Sequence, residues 1–279
     1  MAAPRVLVLR APGTNCDVET AFAFESAGAI VNRIHVQQLI DRPILANNHQ
    51  ILCFPGGFSY GDDIASGRVL ATQLISYLPE MIESFRQEDR LVLGICNGFQ
   101  IMMRLGVFFG DTTSSQGDSG NRFPAASSQL ATLTWNQQGR FEDRWVYLKT
   151  STNESPFLRD IDQMYLPIAH AEGRFVTRGP LGTSPTAADT LEKQHQIPLR
   201  YCRDDGFTSD EILPHPINPN GAEMNVAGLC DESGRVFGLM PHPERHLFPT
   251  QHPFWTRRDE QPEFGDGMKM FQNAVDFFA

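Results

Sequence analysis

A single cysteine, Cys96, lies where an apolar run gives way to a segment of helical character. Residues 91–95 are Leu-Val-Leu-Gly-Ile, and a glycine lies two positions from the cysteine on either side, at 94 and 98. Sharp strand-to-helix turns of this kind hold a nucleophile at the edge of a sheet. Glycines flank the nucleophile because the crowded backbone there leaves no space for a Cβ at those positions. The pattern predicts that Cys96 is a nucleophile. The alternative is a buried thiol that packs as a small hydrophobic residue.

A thiol nucleophile needs a general base, and the base needs a group that orients it. Of the eight histidines, His242 is the strongest candidate, because residues 236–240 predict a strand directly before it. Pro241 and Pro243 flank it and restrict the backbone, so that the imidazole is presented rigidly. Glu244 lies two residues further on, on the same side of an extended chain. We expect its carboxylate to fix the tautomer of His242 and to raise its basicity.

The third element is a glycine-rich loop that follows another predicted strand. Residues 55–57 are Pro-Gly-Gly, directly after the apolar run 51–54. Acyl transfer to a thiol passes through an oxyanion, which is stabilised by hydrogen-bond donors aimed at it. The backbone amides of Gly57 and of Asn97, the residue after the nucleophile, are the predicted pair. An ordinary Gly-Gly turn is the alternative.

The elements that must position these residues alternate between strand and helix in the first half of the chain. We predict strands at 6–9, 30–35, 50–54 and 91–95, and helices at 17–27 and 70–85. The strands are almost continuously apolar, which is typical of a parallel sheet covered by helices on both faces. Reactive groups in such sheets gather beyond the carboxyl ends of the strands, which is where Cys96 and Gly57 fall.

Past residue 110 the pattern changes to short strands separated by Gly, Pro, Asn and Asp turns. We predict these strands at 130–135, 145–149, 164–168, 174–177, 199–202, 225–230 and 236–240. They indicate antiparallel hairpins that extend the same sheet or form a small second one. A final amphipathic helix is predicted at 269–278, and surface loops at 178–196 and 248–267. We expect a single domain over residues 1–279.

The composition argues against several classes of function. The formal net charge is −10, whereas proteins that bind nucleic acid carry basic stripes. No window approaches the roughly 18 apolar residues of a membrane span. The five cysteines are scattered without a CxxC pair, which predicts neither a disulfide framework nor a metal site. We therefore expect a cytoplasmic protein that binds no nucleic acid, no membrane and no metal.

Taken together and in this order, the three elements resemble the motifs of the class I, or triad, glutamine amidotransferases. Further segments are similar to the glutaminase subunits of phosphoribosylformylglycinamidine synthase within that family. They read Pro-Gly-Thr-Asn-Cys-Asp at 12–17, Gly-Gly-Phe-Ser-Tyr-Gly-Asp at 56–62 and Pro-Ile-Ala-His-Ala-Glu-Gly-Arg at 167–174. The resemblance implies a flavodoxin-like, three-layer α/β fold with a mainly parallel central sheet and added antiparallel strands.

The resemblance also implies a mechanism. Cys96 would attack the side-chain amide of L-glutamine, and His242, aligned by Glu244, would move the protons. Gly57 and Asn97 would hold the oxyanion. A further family position, Gln100, would lie near the glutamine substrate; the alternative for Gln100 is an ordinary helix residue beside the turn.

A partner follows from the same resemblance. The ammonia would pass to a separate synthetase subunit, which makes formylglycinamidine ribonucleotide from formylglycinamide ribonucleotide and ATP in purine biosynthesis. This chain has no GxxxxGK[ST] phosphate loop. We therefore expect no cofactor here, and ATP and magnesium in the partner. A small bridging subunit could complete the complex.

Two alternatives remain open at this point. One is a free-standing γ-glutamyl hydrolase of the same superfamily, which would have no reason to carry the segments 12–17 and 56–62. The other is a non-catalytic regulatory homologue, against which the intact triad Cys96, His242 and Glu244 argues.

Four further residues receive predictions of their own. We expect Cys16 and Cys53 to be packing residues, because Cys53 lies inside an apolar strand and Cys16 has no base nearby in the sequence. We interpret His170 and Glu172 as a family segment near the rim of the active site rather than as a second catalytic pair.

Overall fold

The strands of the described residues form two sheets. A computed structural model describes residues 2–87, 89–109, 129–151, 155–177, 186–258 and 262–279. Within these ranges the strands are β1 (Arg5–Arg10), β2 (Ile30–His35), β3 (Ile51–Phe54), β4 (Leu91–Ile95), β5 (Ala131–Trp135), β6 (Glu142–Thr150), β7 (Gln163–His170), β8 (Glu172–Thr177), β9 (Leu199–Cys202), β10 (Val226–Cys230) and β11 (Val236–Leu239).

The helices of the described ranges are short, and none is long and apolar enough to cross a membrane. The α-helices are α1 (Asp17–Ser26), α2 (Val36–Asp41), α3 (Arg68–Tyr77), α4 (Pro79–Gln87), α5 (Asn97–Leu105), α6 (Ala187–Lys193) and α7 (Met268–Asp276). Single 3-10 turns occur at Pro43–Ala46, Ser59–Asp62, Pro156–Leu158, Glu223–Asn225, Pro243–Arg245, Pro249–Gln251 and Trp255–Arg257.

The larger sheet has nine strands in the order β2-β1-β3-β4-β11-β10-β9-β6-β7. The pairs from β2 to β11 are parallel, and the remaining pairs are antiparallel. Strands β3, β4 and β11 are buried along their whole length, because helices cover both faces of the parallel part. The predicted α/β fold with added antiparallel strands is confirmed. Both predicted arrangements of the later strands occur. Most of them extend the large sheet, and β5 and β8 form a separate two-stranded sheet.

The order of the parallel strands explains why the candidate residues meet. Strands β1, β3, β4 and β11 are successive neighbours and run in the same direction, so their carboxyl ends lie along one edge. Strand β7 also points toward this edge, because four successive antiparallel pairings separate it from β11. The loops that follow these five strands therefore open on the same side of the sheet.

Two predictions about helices are wrong. The expected single helix at 70–85 is two helices, because Pro79 lacks an amide hydrogen and disfavours helical geometry at Leu78, whose φ and ψ are −133° and 32°. The expected loop at 178–196 contains α6, which begins with a capping box between Thr186 and Asp189. Residues 178–185 lie outside the described residues. In the other predicted loop, residues 248–258 form two 3-10 turns, and residues 259–261 lie outside the described residues.

Candidate active site

Cys96 lies at the strand-to-helix turn that the sequence predicts. Its φ and ψ are 51° and −106°, a backbone conformation that residues other than glycine rarely adopt. The backbone on both sides is anchored, because the Cys96 amide donates to the carbonyl of Leu239 at 2.8 Å and its carbonyl accepts from Gln100 at 3.1 Å. Glycine is required at 98, since a Cβ there would lie 1.9 Å from the carbonyl oxygen of Phe54. The strain at Cys96 is thus imposed by its neighbours.

His242 and Glu244 form a buried pair beside this turn. The imidazole Nδ1 lies 2.7 Å from Glu244 Oε1, and the two side chains are 2% and 0% exposed. The backbone amide of His242 donates to the carbonyl of Pro167 on β7 at 2.8 Å, so the far edge of the sheet curls back against this loop. The predicted His-Glu contact therefore exists, and its geometry is rigid.

The charge state of His242 is set by its neighbours. Burial opposes the charged imidazolium, but the carboxylate of Glu244, together with Cys96 and Cys16, raises the pKa of His242 well above its ordinary value of 6.5. The imidazole Nε2 is buried and has no hydrogen-bond partner among the described residues. An imidazole that holds its proton here stabilises negative charge on a nearby sulfur or on a developing oxyanion.

The glycine-rich loop after β3 is held by the segment after β1. Thr14 and Gly57 form an isolated antiparallel bridge. The amide of Phe58 donates to the carbonyl of Gly13 at 3.0 Å. In a bridge with this pattern the facing residues do not bond to each other, so the Gly57 amide does not donate to Thr14. Gly57 has a φ of +136°, and a Cβ there would lie 2.7 Å from the amide nitrogen of Asn15. This explains why a glycine is needed at the predicted oxyanion position.

The side chain of Asn97 ties that loop to the turn. Its Oδ1 accepts from the amide of Ser59 at 3.2 Å, and its Nδ2 donates to Asp62 Oδ1 at 3.0 Å and to Gln100 Oε1 at 2.9 Å. Gln100 in turn donates to the carbonyl oxygen of Glu172. Both polar groups of the Gln100 amide are therefore engaged within the protein. Its predicted contact with the substrate stays a prediction, and the structure gives it a positioning role in this network.

The segment after β7 reaches the same place. The Cys96 Sγ lies 3.7 Å from the carbonyl oxygen of Ala169. His170 is buried and bonds to Asn136 through Nδ1 at 3.1 Å, and burial, aided by the nearby His242, lowers the pKa of His170 to about 3. With its pKa lowered to about 3, His170 is too weak a base to take the thiol proton near neutral pH, which argues against a second catalytic pair.

The sequence predicted no role in the site for three residues that lie beside it, Ser59, Asp62 and Cys16. Cys16 is buried, as the packing interpretation expects, and its thiol also has polar neighbours: Sγ lies 3.2 Å from Arg245 Nη2 and within 4.8 Å of a ring nitrogen of His242. The only signal in the sequence was the family motif at 12–17. Cys53, in contrast, is fully buried in β3, and burial raises the pKa of its thiol well above the ordinary value, as expected of a packing residue.

One group of side chains has the composition of a metal site. Among the described residues, ligand atoms of Cys16, Glu19, His242 and Glu244 lie within 4.8 Å of one another. The guanidinium of Arg245 donates to two of the four, to Cys16 at 3.2 Å and to Glu19 at 2.9 Å. Arg245 therefore already supplies the positive charge that such a group attracts. The absence of a metal stays a prediction.

Comparison with known proteins identifies the family of the chain. A sequence model of the CobB/CobQ-like glutamine amidotransferase domain matches residues 3–278. The chain belongs to this glutamine amidotransferase family. Within the family, it is 42% identical over 276 residues to the phosphoribosylformylglycinamidine synthase subunit PurQ of Dehalococcoides mccartyi, covering 99% of this chain and 98% of that protein.

Two further relatives are of the same kind. PurQ of Methanococcus maripaludis is 38% identical over 284 residues, covering 99% of this chain and 97% of that protein. Among solved structures, a chain of PurLQS from Thermotoga maritima superposes with a TM-score of 0.68 at 27% identity and full coverage of both chains. This amidotransferase therefore belongs with the PurQ subunits in length as well as in fold.

Proposed function

We propose that this amidotransferase is the glutaminase component of phosphoribosylformylglycinamidine synthase. The observation that carries the proposal is the His242–Glu244 pair, 2.7 Å apart and buried, next to a cysteine held in a strained turn. A thiol, an imidazole and a carboxylate in this relation form a triad for acyl transfer. The PurQ relatives, aligned over almost the whole chain, supply the reaction in which that chemistry is used.

The triad would work in two half-reactions. The Cys96 sulfur attacks the side-chain amide carbon of glutamine, while His242 takes the thiol proton and then gives it to the departing ammonia. A γ-glutamyl thioester remains on Cys96. Water then attacks the thioester, with His242 accepting its proton and returning it to the sulfur. Glutamate leaves and the free thiol is restored, while Glu244 keeps the imidazole aligned in both steps.

The oxyanion of each tetrahedral intermediate would be held by the backbone amides of Gly57 and Asn97. Gly57 is only partly buried in the loop after β3. The Asn97 amide lies at the start of α5, where the helix dipole also favours negative charge. Gln100 would border the glutamine, with its orientation set by Asn97 and Glu172.

The ammonia would be used by a synthetase partner. The relatives are subunits of a synthase, and the similar solved chain comes from PurLQS. The partner would convert formylglycinamide ribonucleotide and ATP into formylglycinamidine ribonucleotide. We place ATP and magnesium on the partner and no cofactor on this chain, with a small bridging subunit as a further component. The five free thiols are compatible with a single-domain protein of the cytoplasm.

Labelling with a diazo-ketone analogue of glutamine tests the proposal. We expect one adduct, mapped to the peptide that carries Cys96, blocked by glutamine and accelerated by the synthetase partner. The Cys96→Ala variant is the control, and it should take up no label on the neighbouring Cys16. Labelling that the partner leaves unchanged would indicate a free-standing γ-glutamyl hydrolase. No adduct in the presence of the partner would refute the amidotransferase chemistry.

A further inference from the structure

Two groups proposed to act on glutamine, the Gly57 amide and the His242 imidazole, belong to loops whose preceding strands do not pair with each other. Gly57 follows β3 and His242 follows β11, and β4 lies between these strands in the sheet. Each step across a sheet is about 4.8 Å, so the two loops start roughly 10 Å apart. Misplacement of a catalytic group by about 1 Å can cost 100-fold in rate. The relative position of these loops therefore needs a connection outside the sheet.

Cys16, in the loop after β1, contacts both sides. Its backbone amide donates to the carbonyl oxygen of Gly56 at 3.3 Å. Its Sγ lies 3.2 Å from Arg245 Nη2, in the turn that carries His242. The packing around the thiol is close: a Cβ on Gly56 would lie 3.1 Å from Cys16 Sγ and 2.8 Å from His242 Cε1. One residue therefore bonds to the glycine-rich loop and to the turn after β11, and its Sγ lies within 4.8 Å of a ring nitrogen of His242.

The thiol has a defined hydrogen-bonding role in this position. It is 2% exposed, donates to Asn15 Oδ1 at 3.4 Å and accepts from Arg245. Burial raises the pKa of Cys16, although His242 and Arg245 lower it, so the thiol keeps its proton and remains a donor. Arg245 also donates to Glu19 on α1 at 2.9 Å, which anchors the turn to the helix that Cys16 begins.

We propose that Cys16 is a positioning residue for glutamine hydrolysis. Its backbone amide holds the glycine-rich loop 56–58 and its thiol holds the turn 242–245, so that the two stay in register across the active site. The inference rests on the proposed glutaminase function and assigns a purpose to the cysteine of the motif at 12–17. Cys16 takes no part in bond making; it acts through the Gly57 amide and the His242 imidazole.

The experiment compares Cys16→Ala with Cys16→Ser in the complex reconstituted with the synthetase, measuring kcat and KM for ammonia release from glutamine. We expect Cys16→Ala to lower kcat about tenfold or more and to change KM less than about threefold. Serine keeps a hydroxyl that can donate to Asn15 and accept from Arg245, so Cys16→Ser should recover most of the lost kcat.

Cys53→Ala is the matched control. Cys53 is also a fully buried thiol beside the site, in β3, and its substitution removes the same sulfur volume. We expect Cys53→Ala to lower the melting temperature about as much as Cys16→Ala and to leave kcat within about twofold of wild type. Packing loss by itself would make the two alanine variants alike.

The possible results distinguish a failure of the proposed glutaminase function from a failure of the proposed role of Cys16. If the wild-type complex releases no ammonia from glutamine, the proposed function fails and the inference fails with it. If the wild-type complex is active, the inference alone is overturned by any of three results. These are a Cys16→Ala variant with normal kcat, a Cys16→Ser variant as impaired as Cys16→Ala, or a Cys53→Ala variant that loses the same activity.

Discussion

Replacing Glu244 by glutamine removes one charge from the triad and almost nothing else. The glutamine carbonyl can take the place of Oε1 and still accept from His242 Nδ1 at 2.7 Å. The new amide nitrogen would take the place of Oε2, which is buried and has no hydrogen-bond partner among the described residues. Glu244→Gln therefore keeps the orientation of the imidazole, withdraws its counter-charge and leaves a buried donor unpaired.

The size of the effect follows from these contacts. A hydrogen bond to a charged group contributes about 1.5–3 kcal/mol, and one between neutral groups about 0.5–1.5 kcal/mol. The difference, about 1–2 kcal/mol, applies when the imidazolium forms during the reaction. It corresponds to a fall in kcat of about 5- to 30-fold. The unpaired amide adds about 1–3 kcal/mol of destabilisation to the folded state.

The assay is ammonia release from glutamine by the reconstituted complex, with synthesis from added ammonium salts as an internal check that the partner is intact. We expect glutamine-dependent turnover to fall and ammonia-dependent synthesis to remain. Glu223→Gln is a matched control, since Glu223 accepts from the amide and hydroxyl of Thr177 in the structure. It should lose stability and keep its turnover. Unchanged glutamine-dependent turnover in Glu244→Gln would remove Glu244 from the mechanism.

Other predictions concern the same site. Cys96→Ala should abolish glutamine-dependent synthesis and leave ammonia-dependent synthesis; equal loss of both would make Cys96 structural. Gly57→Ala should cost about 1–3 kcal/mol of stability and most of the turnover, because a Cβ meets Asn15 at φ +136°, whereas Gly139→Ala, at φ +66° with open space, should keep its turnover. The raised pKa of His242 implies that its protonation stabilises the fold fully below pH 6.5 and progressively less as pH rises through the folded-state pKa. Urea denaturation at several pH values should show this loss in wild type and much less of it in Glu244→Gln; parallel curves would contradict it.

Much of the site could be predicted because its residues lie in a few short segments of the sequence. His242 and Glu244 are two residues apart, and Cys96 lies within a strand-turn-helix whose apolar run and glycines identify it. Strand boundaries were also well predicted: residues 30–35, 91–95 and 199–202 match the structure. These features depend on side-chain periodicity and backbone preferences, which act over a few residues.

The errors have equally local causes. The predicted helix at 70–85 follows the apolar periodicity of the segment, but Pro79 ends one helix and begins the next. The predicted loop at 178–196 follows its Pro and Thr content, but a capping box at Thr186 is sufficient to begin α6. In both cases one or two residues at a helix end decided the structure against the average character of the segment.

The sequence by itself was sufficient to predict Cys96, His242 and Glu244 as nucleophile, base and orienting carboxylate, and it determined the alternation that leads to a parallel sheet. Only the tertiary structure decided which other residues support them. Arg245 meets Cys16 across 229 residues of chain, and Gln100 meets Glu172 across 72. Such contacts depend on the order and direction of strands in the sheet, which bring distant loops to one edge. No local pattern encodes that order, so the contacts of Cys16 with the loops after β3 and β11 depend on the placement of β1, β3, β4 and β11 side by side in the sheet.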